Sequence, residues 1–247
     1  MARSKIPLYK QVKQKMIKEI NQYMKAGDLI PTESELEEKF NVSRITVRKA
    51  IDELVEEGYV EKIQGRGTFV LSTKIVQDAN SITSWTEEML LKGKNPETKS
   101  LKIYEVNPSK KMKRKLRLHP NEKVICIERI RLVDEKPIAL MFNYLREKYV
   151  PGFLEKGFTR ESLYEELEEN YGIVLEEANE QIRARLATDL EASTLNISPE
   201  DAVMHITRTT YLPNGTPVEM VEMVSRSDEY EYHIKVSGRE RNRIIKE

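Results

Sequence analysis

SRITVRKAIDELVEEGYVEKIQGRGTFV, residues 43–70, reads as one helix followed by one hairpin. Ser43 is a good N-cap residue for a helix running to about Glu57. Ile45, Val47, Ala50, Ile51, Leu54 and Val55 form its expected buried stripe, and Gly58 stops it. Arg44, Thr46, Arg48 and Lys49 gather on the other side, near the helix start. Tyr59–Ile63 and Thr68–Leu71 then read as two short strands joined at Gln64-Gly65-Arg66-Gly67.

Upstream, Leu8, Val12, Met16, Ile17, Ile20 and Met24 recur at helical spacing. Gly27 and Asp28 end that helix, and Pro31 sits in the connection. Thr32 opens a second helix, with Glu35 three residues on, the spacing of a capping box. Leu36 and Phe40 are its apolar contacts, and Asn41-Val42 turns the chain into the Ser43 helix. Two capped helices joined by a tight turn, the second beginning with short polar and basic side chains, describe a helix-turn-helix whose second helix enters the major groove of duplex DNA. An arginine fork bonds guanine O6 and N7 together, and Arg44 and Arg48, four residues apart, share a face with Thr46 near its edge. The glycines at 65 and 67 permit a tight tip and close backbone approach, and Arg66 between them suits the negative minor groove. Single arginines on a helix are ordinarily solvated charge; here the conjunction of caps, turn and basic hairpin tip decides for a winged helix-turn-helix.

The whole chain adds limits. Its 247 residues allow two modest domains, and 33% charged against 39% hydrophobic residues points to long polar faces over packed cores. With 41 basic and 41 acidic residues, any nucleic-acid site rests on local clustering. The single cysteine, Cys126, lies in an apolar run with no paired base nearby and suits a reducing compartment. No apolar run approaches the ~18–20 residues that cross a bilayer, and the N-terminal stretch has no signal-peptide core, so the expected location is cytoplasmic, with no membrane partner.

Residues 72–80, STKIVQDAN, are polar with little periodicity and are expected to be a linker between a DNA-binding domain (1–71) and a second domain (81–247). The second half carries strand-like runs such as VICIERIRLV and PVEMVEMV, turns at Asp134-Glu135-Lys136 and Pro213-Asn214-Gly215, and helices near 109–117, 161–171 and 188–195. The fold class is therefore α+β, a small helical domain followed by an antiparallel sheet domain. On the strand Ile125–Arg131, Arg129 and Arg131 point the same way, roughly 7 Å apart. Paired guanidinium forks suit a phosphate or carboxylate, while solvent exposure or ion pairing across the sheet explains them equally well.

Residues 5–70 resemble the N-terminal domain of GntR-family bacterial transcription regulators. The matching segments are Pro7-Leu8-Tyr9, Ile30-Pro31-Thr32-Glu33, Ser43-Arg44-Ile45-Thr46-Val47-Arg48 and Gly65-Arg66-Gly67-Thr68-Phe69-Val70. The rest resembles the UTRA effector domain of the HutC-type branch, with a chorismate-lyase-like fold. The resemblance implies a homodimeric, ligand-controlled regulator, a repressor by expectation, that reads a near-palindromic operator through Thr32, Ser34, Ser43, Arg44, Thr46, Arg48, Lys49 and the Gly65-Arg66-Gly67 tip. Many relatives carry Ser-Glu-Arg where this chain has Thr32-Glu33-Ser34, so the DNA contact made by that arginine is lost or replaced.

For the second domain the resemblance implies a small anionic effector, a sugar phosphate first, with no metal or cofactor. Arg129 and Arg131 match an Arg-x-Arg that holds the effector, and Ser162 and Tyr164 match a Ser-x-Tyr at a helix start. A loop at Ser84-Trp85-Thr86 matches a segment that closes on the phosphate; Arg183, Glu219 and Tyr230 match weaker pocket positions. Ser162 is equally explained as a plain N-cap, and Trp85 as an interdomain core residue. Met141 stands where some amino-sugar-phosphate sensors carry glutamate, which keeps a non-sugar carboxylate effector open. A chorismate-lyase-like enzyme is the rival, but His119, His205 and His233 have no nucleophile or metal partner nearby in sequence. An RNA-binding role lacks stacking aromatics in the first domain.

Overall fold

A computed structural model describes residues 6–71, 74–78 and 81–234. The first domain packs α1 (Leu8–Tyr23), α2 (Glu33–Phe40) and α3 (Arg44–Glu56) against a hairpin of β1 (Val60–Ile63) and β2 (Gly67–Val70). Val12, Met16, Ile17 and Ile20 of α1 meet Val47, Ala50, Ile51 and Leu54 of α3 in one core. Leu8 is half exposed instead of part of that stripe. The expected capping box is present: Thr32 Oγ1 accepts from the Glu35 amide while Glu35 accepts from the Thr32 amide. Ser43 holds the N-cap position of α3, but its hydroxyl pairs with Thr46 Oγ1 at 2.9 Å and caps no backbone amide.

Two residues of the expected α3 stripe are not in the core. Val55 is 37% exposed and Ile45 is 82% exposed. The buried positions 47, 50, 51 and 54 define one face; position 45, two residues before Val47, lies about 200° away from it around the helix. The α1–α2 connection lies along the hairpin, with the Ile30 amide bonded to the Thr68 carbonyl at 2.9 Å. Gly67 has φ +120°, a conformation that L side chains rarely adopt, which favours glycine there.

The 72–80 segment is not a featureless linker. Residues 75–78 form β3 (Ile75–Asp78), parallel to β10 (Tyr230–His233), with Ile75 and Gln77 buried. Its partner strand is some 150 residues away, which local pattern cannot reveal; the flanking residues 72, 73, 79 and 80 lie outside the described ones.

The second domain is a six-stranded antiparallel sheet. Its strands are β4 (Pro96–Val106), β5 (Val124–Val133), β6 (Lys136–Arg146), β7 (Glu177–Leu186), β8 (Ala202–Tyr211) and β9 (Pro217–Arg226), in the order β4-β5-β6-β9-β8-β7. Asp134 and Glu135 both take positive φ, the requirement of a tight two-residue hairpin between β5 and β6. Helices α4 (Trp85–Leu91), α6 (Phe153–Lys156) and α7 (Leu163–Tyr171) accompany the sheet, with α5 (Lys110–Lys115) and α8 (Asp189–Leu195) between strands. Ser84-Trp85-Thr86, expected as a loop, is the start of α4: Ser84 and Glu87 form a reciprocal capping box. The S-x-x-E signature for it stands in the sequence.

The C-terminal end of α4 touches α1. Asn21 Nδ2 donates to the Lys92 carbonyl at 2.9 Å. Gly93 lies against Lys18 so tightly that a Cβ would fall 2.1 Å from Lys18 Cγ and 3.1 Å from its Cα.

Candidate functional site

Two constellations gather the residues singled out in the sequence. On the first domain, Arg44, Ile45, Arg48, Lys49 and Asp52 line a shallow open depression along α3. Arg44 and Arg48 are largely exposed, and one carboxylate on α2 steers both: Glu33 Oε2 accepts from Arg44 Nε at 2.9 Å, and Glu33 Oε1 from Arg48 Nε at 3.2 Å. Hydrogen bonds from Arg48 and then Arg44 hold the Glu33 carboxyl below the usual carboxylate range. Lys49 Nζ stands 4.0 Å over the Tyr9 ring, and the Arg66 guanidinium 5.6 Å from the Phe69 ring. Ser34 is exposed on α2, while Thr32 and the Ser43–Thr46 pair use their hydroxyls within the domain. Arg44, Arg48 and Lys49 are thus exposed on α3 and Arg66 at the hairpin tip.

In the second domain, β5 and β6 carry a buried polar cluster. Arg129 Nη2 donates to Asn143 Oδ1 at 2.7 Å and touches Met141 Sδ at 3.5 Å. Arg131 donates to Thr98 Oγ1 at 2.5 Å and Thr86 Oγ1 at 2.7 Å, with its guanidinium 4.4 Å over the Trp85 ring. Both arginines are buried, and among the described residues neither has an ion-paired carboxylate. Arg129 Nε, Arg131 Nε and Trp85 Nε1 are buried donors without any acceptor. Burial lowers the Arg129 pKa to about 10; burial and then the like charge of Arg129 lower that of Arg131 to about 9. Both remain charged at neutral pH, with the nearby charge of Glu219 acting on Arg129 and that of Glu161 on Arg131 against the cost of burial.

Behind Arg129 a chain of bonds reaches across the sheet. Asn143 Nδ2 donates to Glu219 Oε1 at 2.8 Å, and Tyr164 and Thr210 hydroxyls donate to Glu219 Oε2 at 3.0 Å each. Burial and then the Glu219 charge push the Tyr164 hydroxyl up to about 12, so it stays a donor. Arg208 Nη1 reaches Tyr164 Oη at 3.5 Å, and Arg208 Nε bonds Glu180 at 2.5 Å.

Arg129 and Thr86 stand between two cavities. The inner one, about 50 Å³, is lined by Ser84, Trp85, Met141, Asn143, Tyr164 and Arg208 among others. The outer one, about 400 Å³ and more open, is lined by Thr98, Arg131, Phe158, Arg160 and Glu161 as well as the two shared residues.

Of the expected effector residues, Ser84, Trp85, Thr86, Arg129, Arg131, Met141 and Tyr164 come together here. Four do not line either cavity. Glu219 is fully buried behind Asn143. Ser162 is the N-cap of α7, accepting from the Glu165 amide and donating to Ser84 Oγ at 2.9 Å, so the plain capping reading accounts for it. Arg183 is exposed on the edge strand β7, on the face opposite Glu180. Tyr230 lies in the apolar core with its hydroxyl on Gln77 Oε1. Sequence reasoning missed Asn143 and Arg208, although strand alternation from Met141 and from Ile206 points to both. His205 lies on the β8 face opposite Ile206 and Arg208, His119 is exposed, and the His233 side chain lies outside the described ones.

No helix among the described residues is long and apolar enough to cross a membrane. Residues 8–70 match the model of the gntR family of bacterial regulatory proteins, and residues 91–231 match the UTRA domain. The chain is 31% identical to the HTH-type transcriptional repressor NagR of Bacillus subtilis over 93% of its own length and 94% of the relative's. It is also 31% identical to the mannosyl-D-glycerate transport/metabolism system repressor MngR of Escherichia coli, over 92% and 94% of the two chains. The crystal structure of PhnF from Mycobacterium smegmatis aligns with a TM-score of 0.65 at 25% identity, covering 92% of this chain and 99% of that one. The first model is one of bacterial regulatory proteins, and NagR and MngR are named as repressors. The basic α3 face lies within the first matched region and the buried arginine cluster within or beside the second, and the chain is a member of the GntR family of DNA-binding transcription regulators, carrying a UTRA domain.

Proposed function

We propose that this chain is a cytoplasmic, homodimeric repressor that reads a near-palindromic operator and responds to a phosphorylated sugar. The observation that carries the effector half is the buried Arg129–Arg131 pair, which among the described residues has no ion-paired carboxylate. Two neighbouring buried guanidinium groups suit the oxygens of a phosphate monoester, which they can bond through several N–H donors. The relative named for mannosyl-D-glycerate adds support for a sugar-derived ligand. Met141 supplies no carboxylate to bond sugar hydroxyls, which keeps a non-sugar carboxylate as the second reading.

The inner cavity holds about 50 Å³, room for a few waters but not a sugar ring, so a sugar reaching from the arginines into it must displace Arg129 or the start of α4. That helix carries Thr86 and Trp85 on Arg131 at one end, and its other end meets Asn21 and Lys18 of α1. An effector that shifts α4 therefore disfavours one arrangement of the DNA-binding domains, and operator and effector antagonise each other reciprocally.

The test is a thermal-shift screen of the full chain against sugar phosphates, free sugars and small carboxylates, followed by operator titration with and without the best ligand. A phosphate that raises Tm at excess and weakens operator binding is the expected outcome. A shift with carboxylates alone overturns the phosphate reading, and equal effector affinity for free and operator-bound protein overturns the coupling.

A further inference from the structure

Ile45 is the largest departure from the expected packing. It is 82% exposed, on a helix whose other apolar positions near it are closed into the core. Single exposed apolar residues are common and by themselves mean nothing. The neighbours of Ile45 make this one different. Positions 44, 45, 48, 49 and 52 follow helical spacing and line one depression of about 270 Å³, with Ile45 as its apolar side chain and Arg44, Arg48 and Lys49 as its cations. Glu33 ties Arg44 and Arg48 together on the α2 side. The depression is thus an apolar spot flanked by guanidinium forks, at the start of the helix that enters the major groove.

One feature of the major-groove edge has that mixture of chemistry. Thymine presents a C5-methyl group, and the adjacent guanine presents the O6 and N7 pair that arginine bonds in two places. We infer that Ile45 is a specificity-determining residue, which packs on the methyl group of one thymine in each half-site, next to a guanine read by Arg44 or Arg48. The inference rests on the DNA-binding reading of α3 and adds to it a base identity. It also bears on Thr32-Glu33-Ser34: where an arginine contact at position 34 is absent, an apolar contact from α3 supplies discrimination that does not depend on charge.

The experiment separates the methyl group from every other property of the base. Full-length protein first selects a duplex from a randomised DNA pool. Each thymine of that duplex is then replaced, one at a time, by deoxyuridine, which removes the methyl and keeps the hydrogen-bonding edge. At one position per half-site, uracil is expected to weaken wild-type binding about fourfold, the effect of one buried methyl-sized group. Ile45→Ala is expected to bind the thymine duplex that much more weakly and to be indifferent to uracil at the same position. Because Ile45 contributes nothing to the core, this variant folds as the wild type does. Wild-type indifference to uracil at every position overturns the inference, as does an Ile45→Ala protein that keeps full sensitivity. Failure to select any duplex overturns the DNA-binding reading together with it, a result distinguishable from the other two.

Discussion

Arg131→Met is expected to leave the ligand-free protein as stable as the wild type or more so, while removing its thermal response to phosphorylated ligands. The two halves of this result have one cause. Arg131 is buried beside Arg129 without an ion-paired carboxylate, and the Arg129 charge already depresses its pKa. Replacing such a charge by an apolar side chain of similar length removes the cost of keeping a charge out of water, which offsets the hydrogen bonds lost with it. Thr86 and Thr98, which accept from Arg131, lose an incoming bond but keep hydroxyls that can reorient. With an anion bound the balance reverses, since hydrogen bonds to a charged group contribute about 1.5–3 kcal/mol, or roughly ten- to hundredfold in affinity. Denaturation scans with and without the sugar phosphate that shifts the wild type most will show it. A variant that is less stable when ligand-free yet still shifted by phosphate would mean that Arg131 is structural and that the anion sits elsewhere.

Arg48→Ala is expected to cost operator affinity about ten- to hundredfold per protomer, the worth of one bidentate base contact of ~1–3 kcal/mol, and to relax selectivity at one base pair. Lys49→Ala serves as its control. If Lys49 meets phosphate, its loss weakens all sequences alike and lowers the slope of log affinity against log salt by about one. Titrations of operator and scrambled duplex at several salt concentrations separate the two. An Arg48→Ala variant that weakens both duplexes equally would show that Arg48 only neutralises phosphate. Thermal stability should barely change in either case, because both side chains are exposed.

The first domain was legible because its signals are local. Thr32 and Glu35, Gly58, and the glycines flanking Arg66 each specify geometry within a few residues. Ile45 was misread because apolar character was taken as burial, although its angle on the helix excludes it from the face of Val47 and Ile51. In the second domain, the Arg129–Arg131 pair followed from strand alternation, but its lack of an ion-paired carboxylate among the described residues depends on which residues β6 and α4 bring alongside. Met141 and Asn143 sit opposite and beside Arg129 only through the β5–β6 register. The short β3 strand owes its order to β10, far away in sequence. Arg183 and Tyr230 were carried over from relatives; here Arg183 is exposed on the edge strand, and Tyr230 lies in the core cluster that also holds Trp85 and Met141.

Helix α4 has a property that follows from its being keyed at both ends. Thr86, in its first turn, is fixed to Arg131, and the Lys92–Gly93 exit is fixed to Asn21 and Lys18 of α1. Between them runs a helix of only seven residues, Trp85–Leu91, so the angular phase between the two ends is set by residue count. One inserted or deleted residue turns one end by about 100° and shifts it by about 1.5 Å, unseating one key whichever the other keeps. The segment thus behaves as an indexed shaft: it tolerates new side chains on its outer face, such as at the exposed Leu90, but not a change of length.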